Sequence, residues 1–499
     1  QYAAIGADIG AAATDADNLA LLNDIIGGQQ TTGVDRVEEI NELARIANAI
    51  QTVAAGGTAS PALSPADLGK IGLANVTPEN LDAVLAAIAG KDNGGGETDS
   101  LGELQTLING LNTAAANLGV FAEANTQGIA TPTGTVPVLA NYTAAGVTGV
   151  TDGANGNISA INDALASAAV TGAKADTPAE LQAIVDAYKA ILAEANDADN
   201  TAGDGTTDAT PTVDPTPAQY AAIGADIGAA ATDADNLALL NDIVGGKQFA
   251  DVDTIAEINE LARIANAIQT VAAGGTASPA LSPADLGKIG LANVTPENLD
   301  AVLAAIAGKD NGGGETDSLG ELQTLINGLN TAAANLGVFA EANTQGIATP
   351  TGTVPVLANY TAAGVTGVTD GANGNISAIN DALASAAVTG AKADTPAELQ
   401  AIVDAYKAIL AEANDADNTA GDGTTDATPT VDPTPAQYAA IGADIGAAAT
   451  DADNLALLND IIGGQQTTGV DRVEEINELA RIANAIQTVA AGGTASPAL

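Results

Sequence analysis

Apolar residues at Leu181, Ile184, Val185, Tyr188 and Ile191 recur every three or four positions, with polar or small residues between them. That spacing predicts an amphipathic helix. The residues ahead of it, Asp176-Thr177-Pro178-Ala179-Glu180, supply a start signal. A threonine hydroxyl accepts a hydrogen bond from an orphan N–H of the first turn. A proline at the first helical position loses no bond, and a glutamate three residues after the cap reaches back to the cap's own N–H. The same start, Asp99-Ser100-Leu101-Gly102-Glu103, precedes a second stripe of Leu104, Leu107, Ile108 and Leu111. A looser version, Asp35-Arg36-Val37-Glu38-Glu39, precedes a third, of Ile40, Leu43, Ala44, Ala47 and Ile50. Arg36 stands in the capping position there, so Asp35 and Glu38 are expected to form the box one residue earlier. In the second copy Thr254 restores the usual cap.

These stripes belong to a longer repetition. Gln1-Tyr2-Ala3-Ala4-Ile5-Gly6 returns at Gln219 and at Gln437, a period of 218 residues. From Thr58 onward the copy beginning at Thr276 matches residue for residue. The differences gather where Gln29-Gln30-Thr31-Thr32-Gly33 becomes Lys247-Gln248-Phe249-Ala250-Asp251. Each period divides further into three related modules, A, B and C. In A, Tyr2 precedes Gly6, and Asn18-Leu19-Ala20-Leu21-Leu22-Asn23 follows. In C, Tyr142 precedes Gly146, and Asn157-Ile158-Ser159-Ala160-Ile161-Asn162 follows. In B, Leu68 precedes Gly72, and Asn80-Leu81-Asp82-Ala83-Val84-Leu85 follows. The expected modules are A at 1–57, B at 64–125 and C at 138–196, with a linker at 197–218. The second set lies at 219–275, 282–343 and 356–414, a second linker at 415–436, and a third A at 437–493.

Each module is expected to hold three helices. The first is short, around Ala3–Ile5, and a glycine ends it. The second starts at an Asn or Thr cap, most clearly Thr77-Pro78-Glu79-Asn80, with Thr77 as the cap and Pro78 in the first turn. The third is the long capped helix. The expected fold is therefore all-α, a tandem array of small three-helix bundles. A module of about 60 residues with a core of Ala, Leu, Ile and Val buries little area alone, so it must pack on its neighbours. Pro/Gly/Thr-rich segments join the modules. The longest, from Asp197 to Pro217, reads as an extended polyproline-like spacer.

Composition narrows the chemistry. The chain has no Cys, Met, His or Trp, and 14 Lys+Arg stand against 62 Asp+Glu, a net charge of −48. Such a field repels nucleic acid and anionic membranes, favours solubility and attracts divalent cations. Without Cys there are no disulfides. Without His the commonest general base and transition-metal ligand are missing. No apolar run is long enough to span a membrane, and the first residue is not Met. The chain is thus expected to be a piece of a longer or processed one, with any export signal elsewhere.

No catalytic, cofactor-binding or metal residue is assigned, and an enzyme is not expected. The Gly94-Gly95-Gly96 loop lacks the strand and the Gly-Lys-Ser/Thr that a phosphate loop needs. The acidic stretch from Asn196 to Asp208 spaces oxygen ligands as calcium loops do. Ala202 stands where an EF-hand requires Gly, however, and no Glu closes the loop, so it is read as a solvated linker with Ca2+ as the alternative. The Thr/Pro crowding from Thr206 to Thr216 could accept O-glycans. Asn75-Val76-Thr77, Asn141-Tyr142-Thr143 and Asn157-Ile158-Ser159 fit the N-glycan pattern, although Asn157 and Thr77 are better explained as helix-start residues.

The run Gly146-Val147-Thr148, Ile161-Asn162-Asp163-Ala164 and Thr177 through Val185 resembles the albumin-binding three-helix modules of bacterial surface proteins. These positions are core and capping, so the resemblance implies a fold and carries no albumin-binding surface. More broadly, acidic, Cys-free, near-identical tandem repeats look like the giant adhesins and biofilm-matrix proteins of Gram-negative bacteria, which are typically secreted through type I systems. The resemblance implies an extracellular structural protein at a cell surface or in a matrix. Its partners would be copies of itself, and further candidates are divalent cations and host or surface ligands. A filament built by repeated contacts is the leading expectation. The alternatives are an adhesin stalk and an array of host-protein-binding modules.

Overall fold

Periodic stripes and start signals become helices throughout. The computed structural model describes residues 1–89, 91, 97–125, 134–153, 156–195, 214–296, 298–307, 309, 315–343, 352–371, 374–413 and 432–495. Among these residues the chain is all-α: 65% helix, with 20 α-helices, nine short 3-10 helices and no strand. The first period contains α1 (Ala16–Gly28), α2 (Val37–Ala54), α3 (Pro65–Lys70), α4 (Leu81–Ala89), α5 (Leu101–Asn125), α6 (Leu139–Ala144), α7 (Ile158–Leu165) and α8 (Pro178–Ala195). There follow α9 (Pro217–Ala222), α10 (Ala234–Gly245), α11 (Ile255–Ala272), α12 (Pro283–Lys288), α13 (Leu299–Ala307) and α14 (Leu319–Asn343). The chain continues with α15 (Leu357–Ala362), α16 (Ile376–Leu383), α17 (Pro396–Ala413), α18 (Pro435–Ala440), α19 (Ala452–Gly463) and α20 (Val473–Ala490). A short, a middle and a long helical element therefore alternate. In the first A module the short one is a 3-10 turn, Tyr2–Ile5, ended by Gly6 in the left-handed conformation.

The long helices start as their capping residues require. Thr177 N–H donates to Glu180 Oε2 (3.1 Å) and Glu180 N–H to Thr177 Oγ1 (3.3 Å). Ser100 with Glu103 and Thr254 with Glu257 repeat the pair. At α2 the box does not shift. Glu39, not Glu38, accepts the Arg36 N–H (3.1 Å), and the Arg36 guanidinium folds over the same carboxylate (3.1 Å). Only the third residue after a cap points back at its N–H, and the ion pair holds Glu39 there.

Two other starts differ from expectation. Helix α4 begins at Leu81, not at Pro78. Asn80 Oδ1 accepts the Thr77 N–H (2.8 Å), while its Nδ2 donates to Asn75 O (2.8 Å) and to Asn112 Oδ1 on α5 (2.9 Å). Thr77–Asn80 is consequently a turn pinned ahead of the helix. Helices α9 and α18 start at Pro217 and Pro435, capped by Thr216 and Thr434, so the last residues of the two expected linkers are helical. The remainder of those linkers up to residues 213 and 431, with the calcium candidate and most of the O-glycan stretch, lies outside the described residues. So do Gly94-Gly95-Gly96 and the connection 126–133.

The chain divides into two compact units, Gln1–Asn266 and Ala267–Leu499. In the first, one buried cluster runs from Ile9 and Leu21 through Leu43 and Ile50 to Leu68, Val84, Leu104 and Ile108. It crosses from module A into module B without a break. In the second unit a cluster runs from Ala333 and Leu336 through Tyr360, Ile379 and Tyr406 to Tyr438, Ile462 and Ile476, from B through C into A. Small side chains thus accumulate a core by continuing across the borders that the sequence suggests.

Candidate interaction surfaces at the module junctions

Inside modules A and C the short and middle helices are tied by one polar pair, exposed in the first A module (Tyr2 Oη to Asn23 Oδ1, 2.6 Å) and buried in the others. Tyr142 Oη donates to Asn162 Oδ1 (2.5 Å), Tyr220 to Asn241 (2.9 Å), Tyr360 to Asn380 (2.5 Å) and Tyr438 to Asn459 (2.7 Å). The second amide proton of Asn162 reaches Pro137 O (2.9 Å), which fixes how the chain enters the module. Burial pushes the Tyr142 phenol well above its ordinary pKa, so it stays a neutral donor. Module B carries Leu68 and Leu85 at the two positions, exchanging a satisfied polar pair for an apolar one.

The middle helix of a module meets the long helix of the next one: α1 meets α5, α4 meets α8 and α16 meets α20. The chemistry differs with the junction. From A to B, Asp24 Oδ2 on α1 accepts the N–H of Leu101, the first residue of α5 (2.6 Å). Gln51 Nε2 on α2 donates to Thr98 O (2.9 Å). From C to A, Asp163 Oδ2 accepts the Ile255 N–H (2.7 Å), and Tyr188 Oη donates to Val252 O (3.2 Å). The second unit repeats this with Asp381 to Val473 (2.7 Å) and Tyr406 to Val470 (3.3 Å).

From B to C the partners change. Glu123 Oε2 accepts the Gly172 N–H (2.9 Å). Gly119 on α5 lies so close to the next module that a Cβ there would stand 2.7 Å from the Cβ of Asp176. Glycine is needed because the backbones touch.

Burial follows the junctions. Ile223 and Ile441, whose short helices follow a C module, are fully buried, whereas the same residue in the first A module, Ile5, is 54% exposed. Asp163 and Asp381 are held above the usual carboxylate range, first by burial and then by neighbouring acidic residues, against the hydrogen bond they accept. The A-to-B junction adds an ionic cluster. Glu42 takes hydrogen bonds from Arg45 (2.9 Å) and Lys70 (3.0 Å), which pull its pKa down to about 2, and Arg45 also reaches Asp67.

Reactive chemistry is sparse. No group of three or more His, Cys, Asp or Glu residues could hold a metal among the described residues. A groove of about 500 Å³ beside α4, α5 and α6 is walled by Ala87, Leu107, Gly110, Thr143 and Gly146, with Lys91 its one ionisable side chain among the described residues. Asn157, an N-glycan candidate, is buried, its Nδ2 donating to Gly149 O (2.9 Å) and its Oδ1 accepting the Thr151 N–H (2.8 Å). The junction residues carry no local motif. Their one sequence signal is that Asp24 and Asp163 each follow the Asn of the Tyr–Asn pair. No helix is long and apolar enough to cross a membrane among the described residues. No family model, no curated protein and no solved structure matches this chain.

Proposed function

We propose that the chain is a structural repeat array, a tandem series of three-helix modules that builds an extracellular filament or matrix fibre, as in the repetitive surface proteins it resembles. The observation that carries this reading is the closure of the junctions: cores and buried hydrogen bonds continue from one module into the next. A chain whose neighbouring modules share core resists extension cooperatively, which suits a load-bearing role. Repetition then multiplies any weak contact between copies. Sedimentation and negative-stain microscopy of the full chain test it. Concentration-dependent fibres or lateral bundles are expected. A strictly monomeric chain at high concentration, with and without calcium, overturns the filament and leaves the stalk.

A second reading, an array of modules binding a host protein, draws on one observation. Val120, Val136, Val138 and Leu139 are exposed, and Val338, Val354, Val356 and Leu357 repeat them one period later. Replacing Val120 and Val338 by Asp separates the two readings: it disrupts self-association if these residues join copies, and leaves it intact if they meet a foreign ligand.

A further inference from the structure

The three junctions meet equivalent positions of the next module with different partners, and the differences match. The position of Asp24 in A is Asp163 in C but Ala86 in B. The position they serve, the first residue of the next long helix, is Leu101 in B and Ile255 or Val473 in A, each with an N–H, but Pro178 or Pro396 in C. Proline has no N–H to give. A carboxylate is therefore present where a donor follows and absent where none does. The second contact obeys the same logic. The carbonyl two residues before the cap is met by Gln51 or Gln269 from A, through Thr98 or Thr316, and by Tyr188 or Tyr406 from C, through Val252 or Val470. At the equivalent carbonyl in C, Ala175 O, module B brings up the bare backbone of Gly119, whose Cβ would lie 3.1 Å from that oxygen.

We propose that the module faces are keyed. The trailing face of A accepts the leading face of B, that of B accepts C, and that of C accepts A, so the order A-B-C is specified by matched donors, acceptors and close approach. The partner each trailing face fits is one module type of this same chain. An A face set before C would aim Asp24 at a proline. A B face set before A would leave the Ile255 N–H without its carboxylate. Ile255 is buried and Asp163 half-buried, so an unmatched partner there loses its water and gains nothing in return, while the exposed Asp24 would lose its contact and keep its water. The inference rests on the tandem-module reading and is independent of whether copies form a filament.

A double-mutant cycle in the full 499-residue chain tests it. Ala86→Asp with Ala304→Asp installs the A-type acceptor in both B modules, and Pro178→Val with Pro396→Val installs the missing donor in both C modules. The proline pair alone is expected to lower the urea midpoint, because it bares an N–H at a buried position, and the aspartate pair, at exposed positions, to leave it nearly unchanged. Together they make the A-to-B contact at a B-to-C junction, so the combined variant recovers to a midpoint above the proline pair alone. A combined midpoint no higher than that of the proline pair overturns the proposal. A second chain of the same residues with B and C exchanged in both periods is expected to unfold at lower urea and in broader steps. An unchanged midpoint for that chain also overturns the keyed order, and if it fails to fold, the cycle decides. Self-association is followed on the same samples, so a monomeric chain that passes the cycle rejects the filament and keeps the keys.

Discussion

Asp163 Oδ2 accepts the backbone N–H of Ile255 at 2.7 Å, across 92 residues of chain, and Asp381 does the same for Val473. The first N–H of a helix has no partner within the helix, and here the preceding module supplies it. The positive end of the helix dipole strengthens the bond. Replacing Asp163 and Asp381 together by Ala is expected to cost about 1–2 kcal/mol at each junction. Replacement by Asn keeps an acceptor without the charge, and so costs less. Hydrogen exchange checks this locally. The amides of Ile255 and Val473 exchange faster in the Ala variant and stay close to the parent in the Asn variant. Equal protection in all three proteins would mean that the carboxylate does not hold the junction.

Mild acid acts on the same carboxylates with a definite sign. Burial raises the folded-state pKa of Asp163 and Asp381, and burial with neighbouring acidic groups does so for Asp253 and Glu475. The folded chain then binds protons more tightly than the unfolded chain, so stability rises as pH falls through the raised pKa values. Glu42 runs the other way. Arg45 and Lys70 lower it from 4.5 to about 2, so its contribution is present above 4.5 and fades as pH falls toward 2. The melting temperature is expected to rise from pH 7 toward the ordinary carboxylate range and to fall below it. Asp163→Asn with Asp381→Asn flattens the rise, and Glu42→Gln flattens the later fall. A melting temperature that only declines from pH 7 contradicts the assignment.

The Tyr–Asn pairs make a third prediction. Tyr142→Phe removes a donor from the buried oxygen of Asn162 and leaves the ring in place. The expected cost is about 1–3 kcal/mol, with the same change at Tyr360 in the second unit. Changing both partners is expected to cost less than the sum of the single changes, because module B shows that Leu68 and Leu85 fill these positions without any polar group. Urea unfolding of the two single variants and the double variant measures the difference; strict additivity would mean that Tyr and Asn act independently.

The helices were legible because their signals are local. A stripe such as Leu181 to Ile191 and a box such as Thr177–Glu180 sit within one element, and the structure keeps both. Arg36 has no capping hydroxyl, so the neighbouring acids Asp35 and Glu38 read as the box, whereas backbone geometry allows only Glu39. Thr77 misled because Asn80 spends its side chain on Asn75, Thr77 and Asn112, delaying the helix to Leu81. The junctions were opaque for another reason. Pro178 reads as a helix starter and Asp163 as a surface acid until the fold brings a neighbouring module against each. The bonds that give Asp24 and Asp163 their roles reach 77 and 92 residues along the chain, and no local spacing encodes them.

Two glycines of the same helix give the sharpest contrast. Gly110 and Gly119 both lie within α5, where alanine is intrinsically favoured by about 1 kcal/mol. At Gly110 an added Cβ meets nothing within 4 Å, so Gly110→Ala is expected to stabilise by up to about that amount. At Gly119 the Cβ would lie 2.7 Å from Asp176 Cβ and 2.9 Å from its Cα, and Gly337 has the same relation to Asp394 at 2.6 and 2.9 Å. Those neighbours are Cα and Cβ atoms at the start of the next long helix, not flexible tips, so the modules must part. Gly119→Ala with Gly337→Ala is expected to lose about 1–3 kcal/mol despite the gain in helix propensity. Thermal unfolding of the two variants side by side reads opposite signs if α5 backs directly onto module C. Two shifts of the same sign would mean that B and C do not pack face to face through Gly119.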